Sequence, residues 1–161
     1  SDVCSSDLIA LRAGSDIIAH VPYDYTEPDI LEAAARKGVY LTPTFSVFRS
    51  YGAPIASCIA ILRGFVQAGG KVALGSDFNG GPGEFEQGIP LYELECMRDA
   101  GMTPMQIIVA ATRNAAWVAG REKSLGTLEP GKIADILVIA GDPLRDMNCL
   151  REVRQIGRAH V

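Results

Sequence analysis

The stretch Val72-Ala73-Leu74-Gly75-Ser76-Asp77 decides the fold. It is a short apolar run closed by a glycine, a hydroxyl and a carboxylate. A near-continuous apolar run of this length reads as a parallel strand buried on both faces. A carboxylate at the carboxyl end of such a strand lies where α/β barrels gather their reactive groups. An aspartate taken alone at such a place more often caps the following turn. The segments on either side shift the balance away from that reading.

Upstream, residues 54–68 read as a helix closed by Gly69-Gly70. Val39-Tyr40-Leu41-Thr42-Pro43-Thr44 reads as a second strand, with Pro43 at its end where no ladder donor is needed. Before it, residues 28–37 predict a helix with Leu31, Ala34 and Ala35 on one face, ended by Gly38. Asp16-Ile17-Ile18-Ala19-His20-Val21 predicts a further buried strand, entered from a helix end that Gly14 stops. Residues 22–26 read as its exit loop.

Downstream, residues 79–83 are a turn-rich loop and residues 91–100 a helix stopped by Gly101. Thr103-Pro104-Met105-Gln106 has capping-box spacing with proline at the first helical position, so a helix runs on to about residue 119. Strands and helices alternating at this spacing imply parallel strands with right-handed crossovers, in a barrel or a doubly wound sheet. After Gly120 the pattern changes. Residues 124–128 predict a short strand, and Glu129-Pro130-Gly131-Lys132 a type II turn. Residues 134–139 predict an apolar strand, Gly141-Asp142-Pro143 a turn, and residues 152–155 the start of another strand. A small β module therefore follows the α/β part.

The two ends read differently from the rest. Ser1-Asp2-Val3-Cys4-Ser5-Ser6-Asp7-Leu8 back-translates as TCA GAC GTG TGC TCT TCC GAT CT plus any base. The reverse complement translates as Ile-Gly-Arg-Ala-His-Val and a stop, which is Ile156-Gly157-Arg158-Ala159-His160-Val161. One end encodes the other on the opposite strand, in the manner of a sequencing adapter. Residues 1–8 and 156–161 are therefore expected not to belong to the native fold. The native part is expected at about 9–155, a piece of a longer gene, with 9–122 the α/β domain and 123–155 the β module. On this reading Cys4 and His160 carry no function, and His20 is the sole native histidine.

The whole chain carries a net charge of −4, is 48% hydrophobic and is 21% charged, the balance of a globular domain. Without the tails the balance is 14 basic against 17 acidic residues, a net of −3. Mild acidity and the lack of a basic run speak against a nucleic-acid partner. No apolar stretch approaches membrane-spanning length. Cys58, Cys96 and Cys149 have no CxxC spacing and read as buried thiols, neither a disulfide framework nor a zinc knuckle. Composition assigns no compartment.

Four stretches together resemble the amidohydrolase superfamily, especially its imidazolonepropionase-like and Xaa-Pro dipeptidase-like members. Residues 13–20 resemble the sixth barrel strand, which ends in a histidine. Residues 38–44 resemble the seventh. Residues 72–77 resemble the eighth, which ends in the aspartate. Residues 100–116, together with Gly126-Thr127-Leu128-Glu129-Pro130-Gly131-Lys132-Ile133-Ala134-Asp135, resemble the C-terminal signature. The resemblance implies an α/β fold, the C-terminal part of a (β/α)8 TIM barrel followed by part of a small β-sandwich. It implies a hydrolase that cleaves a C–N bond of a small amide, cyclic amide or dipeptide with water activated by one or two divalent metal ions, most commonly Zn2+. It assigns His20 and Asp77 as metal ligands, His20 to the second metal in binuclear members and beside the substrate in mononuclear ones, and Asp77 as the catalytic group that moves the proton from the attacking water to the leaving amine. Such a protein can be a homo-oligomer. The family's other ligands, a His-x-His pair on strand one, often a lysine on strand four and a histidine on strand five, are absent from this chain. A different class stays open: some superfamily relatives have lost the metal and act as binding or scaffold proteins.

The residue chemistry agrees with the resemblance. A hard divalent ion takes imidazole and carboxylate ligands around an open position for water. Strands lie roughly 4.8 Å apart, so side chains from two strands flanking a third can converge. An isolated histidine is equally well satisfied by a backbone carbonyl. Ala19-His20 stands where the family often has Glu-His, and Gln87-Gly88 where it often has His-Gly. Glu84 and Glu86 read as solvated loop charges, and Glu93 and Glu95, two apart, point different ways on a helix. Asp135 reads as structural. Trp117, Met102 and Met105 are expected to pack the last helices. Tyr23, Tyr25, Phe45, Phe48 and Arg49 follow strand ends and can line a pocket, where Arg49 either reads a substrate carboxylate or is a solvated surface charge. Ile18, Ala73 and Gly75 are expected on the inner side of the sheet, and the outer edges of the first and third strands are expected bare.

Overall fold

The structure, a computed structural model, describes residues 9–22, 28–77 and 89–160. Tyr23, Tyr25, the 79–83 loop, Glu84, Glu86, Gln87-Gly88 and residues 1–8 lie outside the described residues.

Strands β1 (Ile17–Ala19), β2 (Tyr40–Thr42) and β3 (Lys71–Val72) form a parallel sheet in that order. Ile17 lies opposite Tyr40, and Leu41 opposite Val72. Helix α1 (Pro28–Lys37) joins β1 to β2, and α2 (Phe45–Ser50) and α3 (Ile55–Gln67) join β2 to β3. Helices α4 (Leu91–Asp99) and α5 (Pro104–Val109) follow, then a π-helical segment (Ala110–Asn114) and α6 (Ala115–Val118). The three strands and the helices at 28–37, 55–67 and 91–99 follow the expected order; α2 is an addition to it, and the expected helix to about residue 119 is interrupted by the π-helical segment. The expected capping box is present: the Thr103 side chain accepts from Gln106 N, and Gln106 Oε1 accepts from Thr103 N.

Successive strand residues face opposite ways. Ile18, Leu41 and Val72 point into the helix layer, where Leu31, Leu62, Phe65 and Met97 complete the core. Ile18 is thus on the core side, not the inner side expected from the sequence. The Ile17-Ile18 pair offers no polar residue to set the parity, and a one-residue error reverses every face. Tyr40, one residue before Leu41, stacks on Trp117 with centroids 4.2 Å apart, while Met105 is exposed.

The Phe65 ring is fully buried, and a Cβ placed on Gly70 would come within 2.3 Å of it. Gly70→Ala should therefore cost about 1–3 kcal/mol by overpacking. A melting temperature equal to wild type would show that the core has room there.

The outer edge of β3 is not bare. Leu74 N donates to Ala110 O at 3.0 Å, and Asn114 Nδ2 donates to Val72 O at 2.8 Å. The π-helical segment presents both acceptor and donor to the strand. π-Turns arise where one residue is inserted into a helix, which capping and periodicity do not reveal.

The β module is a hairpin of β4 (Ile133–Ile139) and β5 (Val153–His160), antiparallel, with a register shift at Val138/Ile139. Lys132 N donates to Glu129 O at 3.1 Å and Gly131 has φ +86, as the expected type II turn requires. Residues 156–160 continue β5, whose ladder bonds are made by the main chain and not by side chains. Residues 124–128 are not the expected strand. Ser124 N and Leu125 N both donate to Arg121 O, and Gly126 has φ +90, so the chain coils against the helix at Ala116. No helix among the described residues is long and apolar enough to cross a membrane.

Cys58, Cys96 and Cys149 are free thiols; the first two are buried as expected, whereas Cys149 is only half-buried, on a short helical turn (Met147–Arg151) that has no buried residue. Burial pushes Cys58 up to about 11 and Cys96 up to about 12, where neighbouring carboxylates also raise it. A raised value keeps the thiol protonated to higher pH, so both should resist alkylation up to about pH 10, where an ordinary thiol near 8.5 is ionised. Site mapping by mass spectrometry should find them modified only after denaturation. Rapid labelling of either in the folded protein would contradict this burial.

Candidate active site

Three non-glycine residues have left-handed backbones among the described residues: His20 at φ 74, Thr44 at φ 59 and Asp77 at φ 49. His20 follows β1 by one residue and Thr44 follows β2 by two, whereas β3 stops at Val72, shorter than the expected run to Asp77, and Asp77 lies five residues further along the chain. An L-residue in this region costs about 1–2 kcal/mol, and persists where the surroundings over-determine it. At His20 those surroundings are hydrogen bonds from His20 N to Thr42 O at 2.8 Å and from Val21 N to Pro43 O at 3.3 Å. They hold the exit of β1 against β2.

His20 and Asp77 come together across β2. His20 Nε2 lies 3.9 Å from Asp77 Oδ2, with 32% and 53% of the two side chains exposed. That separation is too long for a hydrogen bond. It lies within the span of two ligands on one ion, each bonded at about 2 Å. The other ring nitrogen, Nδ1, is 2.8 Å from Thr44 Oγ1. The Phe48 ring tilts against the imidazole at 5.7 Å between centroids. One imidazole and one carboxylate suit part of a divalent ion's ligand set. Among the described residues no third His, Cys, Asp or Glu joins them. On β2, between the two, Thr42 Oγ1 is buried without a hydrogen-bond partner.

The other candidates separate. Phe48 lines the site, whereas Phe45 is fully buried in the core, because it opens α2 and turns inward. Arg49 is exposed, its guanidinium 4.0 Å from the centroid of the Tyr92 ring. Burial, with Cys96 beside it, pushes the Tyr92 phenol up to about 12. Asp135 lies within β4, away from the strand ends that carry His20 and Asp77. Thr44 was not foreseen from sequence, although it closes the strand stretch quoted above. The sequence offers Glu93 only as a helix carboxylate that points a different way from Glu95. It is fully buried, and its carboxylate accepts from Phe45 N at 3.0 Å and Ser46 N at 2.5 Å. Its partners lie 48 and 47 residues away, so no local pattern reveals them.

Residues 7–157 match the model of the Amidohydrolase family. The imidazolonepropionase of Chloroflexus aggregans is 32% identical over 137 residues, covering 85% of this chain and 31% of that protein. The ochratoxinase of Aspergillus niger is 28% identical, covering 92% of this chain and 33% of that protein. A crystal structure of a Xaa-Pro dipeptidase with bound methionine in the active site superposes with a TM-score of 0.76 at 25% identity, covering 96% of this chain and 41% of that one. The chain thus spans about a third of the length of these curated relatives. With its alternating parallel strands, its helix layer and a family match over most of its length, the chain belongs to the amidohydrolase family.

Proposed function

We propose that the full-length polypeptide carrying this chain is a metal-dependent hydrolase of a C–N bond, with a small amide, cyclic amide or dipeptide as substrate. The proposal takes β1, β2 and β3 as the sixth to eighth strands of a (β/α)8 barrel, and the hairpin as part of a β-sandwich. One observation carries it: His20 Nε2 and Asp77 Oδ2 converge to 3.9 Å at the carboxyl ends of two strands flanking a third. Family membership supports it, as does the fact that the named relatives are hydrolases.

His20 and Asp77 would hold the ion, most simply Zn2+, with ligands from elsewhere in the polypeptide. When bound, the ion supplies a water acidic enough to attack at neutral pH and polarises the scissile carbonyl. Asp77 has a carboxylate half open to solvent, so it can take the proton of the attacking water and pass it to the leaving nitrogen. Phe48, against the imidazole, excludes water from one side of the ring. Stripping metal with a chelator should abolish hydrolysis of amide and dipeptide substrates, and zinc should restore it. Undiminished turnover by protein shown to be metal-free would overturn the reading. A protein with neither metal nor hydrolysis would be the binding or scaffold relative instead.

A further inference from the structure

We infer that Thr44 and Glu93 are positioning residues for His20: the Thr44 hydroxyl engages Nδ1 as acceptor and so leaves Nε2 free, and the Glu93 carboxylate holds the turn that aims it. The inference rests on the reading of His20 and Asp77 as the working pair, and extends it to two residues that touch neither substrate nor ion.

An imidazole has two unlike nitrogens, and the partner of one decides what the other can do. His20 Nδ1 is 2.8 Å from Thr44 Oγ1, while Nε2 faces Asp77. A hydroxyl both donates and accepts, so the contact holds the ring in either tautomer; in the one we infer, Nδ1–H donates to Thr44 Oγ1 and Nε2 keeps its lone pair turned toward Asp77. The hydroxyl can do this only from an unfavoured backbone. Thr44 is β-branched, 3% exposed and left-handed at φ 59. No side chain of the Thr44 turn itself caps α2. The next two amides, of Phe45 and Ser46, are both taken by the buried Glu93 carboxylate from α4. Phe48 N then donates to Thr44 O at 3.3 Å, closing the first turn. The path from α4 to the imidazole therefore runs through two amides, one strained residue and one hydroxyl, with a hydrogen bond at each end.

Chemistry distinguishes the variants. Thr44→Ser keeps the hydroxyl, and Thr44→Val keeps the shape without it. Glu93→Gln keeps the size, but its amide accepts from one N–H and turns its own donor toward the other. The full-length polypeptide is examined in two ways. Nitrogen-15 NMR reads the tautomer of His20 in metal-free protein near pH 8, above the ordinary histidine range of about 6.5, with resonances assigned by loss in His20→Asn. Chelator competition reads zinc affinity. We expect wild type and T44S to hold the Nδ1–H tautomer and to bind zinc alike. T44V and E93Q should lose that tautomer preference and bind zinc about 10–100-fold more weakly. Should T44V not fold, T44A is read in its place. A wild-type tautomer in T44V or T44A overturns the role of Thr44. Lower melting temperature in E93Q with an unchanged tautomer overturns the role of Glu93 and leaves it a helix cap. If wild type binds no zinc, the metal reading fails, and the tautomer measurement still decides the positioning claim.

Discussion

Asp77→Asn in the full-length polypeptide is expected to lower turnover by about 10²–10⁴-fold, the usual contribution of a positioned general acid–base. The substitution keeps the size of the side chain and the left-handed preference that asparagine shares with aspartate, so the φ of 49 at this position is retained. What changes is the chemistry. An amide cannot take the proton of an attacking water or return it to a leaving nitrogen, and it is the poorer ligand for a divalent ion. The side chain is half open to solvent and makes little of the core, so stability should stay within about 1 kcal/mol of wild type. Steady-state kinetics and metal analysis on the same sample separate the two losses. Near-normal turnover with normal metal content would remove Asp77 from the chemistry.

The second large effect concerns residues 9–155 as an isolated molecule. They should form concentration-dependent oligomers or precipitate, and should not hold zinc at micromolar levels. Two donors, His20 and Asp77, are too few for a closed site. In β4, Ile136, Leu137 and Val138 are consecutive and all more than 40% exposed, so both faces of the hairpin are apolar and open. A two-stranded hairpin is marginal without a covering layer. Among the described residues β1 is paired on one side alone, and an apolar strand edge invites further pairing. The π-helical segment tempers this at β3, where Ala110 and Asn114 engage the strand edge. Sedimentation velocity over a tenfold concentration range measures the outcome. A monodisperse, cooperatively unfolding monomer that binds zinc at micromolar levels would contradict it.

The elements legible in the sequence are those fixed by nearby residues. Thr103 and Gln106 cap their helix from three residues apart, Glu129 and Lys132 close a four-residue turn, and glycines end α1, α3 and α4. The strands were legible as apolar runs, though not the face each presents, because Ile17-Ile18 carries no polar residue to set parity. Helix α2 was missed because its N-terminal amides are satisfied by Glu93, almost fifty residues on, and not by a local cap. Thr44 was missed for the opposite reason: threonine favours extended backbone, and only the packed neighbourhood keeps it left-handed. His20 and Asp77 were legible through the resemblance of whole strand stretches. Their convergence to 3.9 Å depends on the parallel order of three strands.

The central claim is that His20 and Asp77 share a divalent ion. Anomalous diffraction at the zinc edge, on crystals of the full-length polypeptide, tests it most directly. The account predicts a peak within about 2.0–2.2 Å of both His20 Nε2 and an Asp77 carboxylate oxygen, with His20 Nδ1 still against Thr44. A stoichiometric ion bound elsewhere, with neither side chain in its ligand shell, would contradict it.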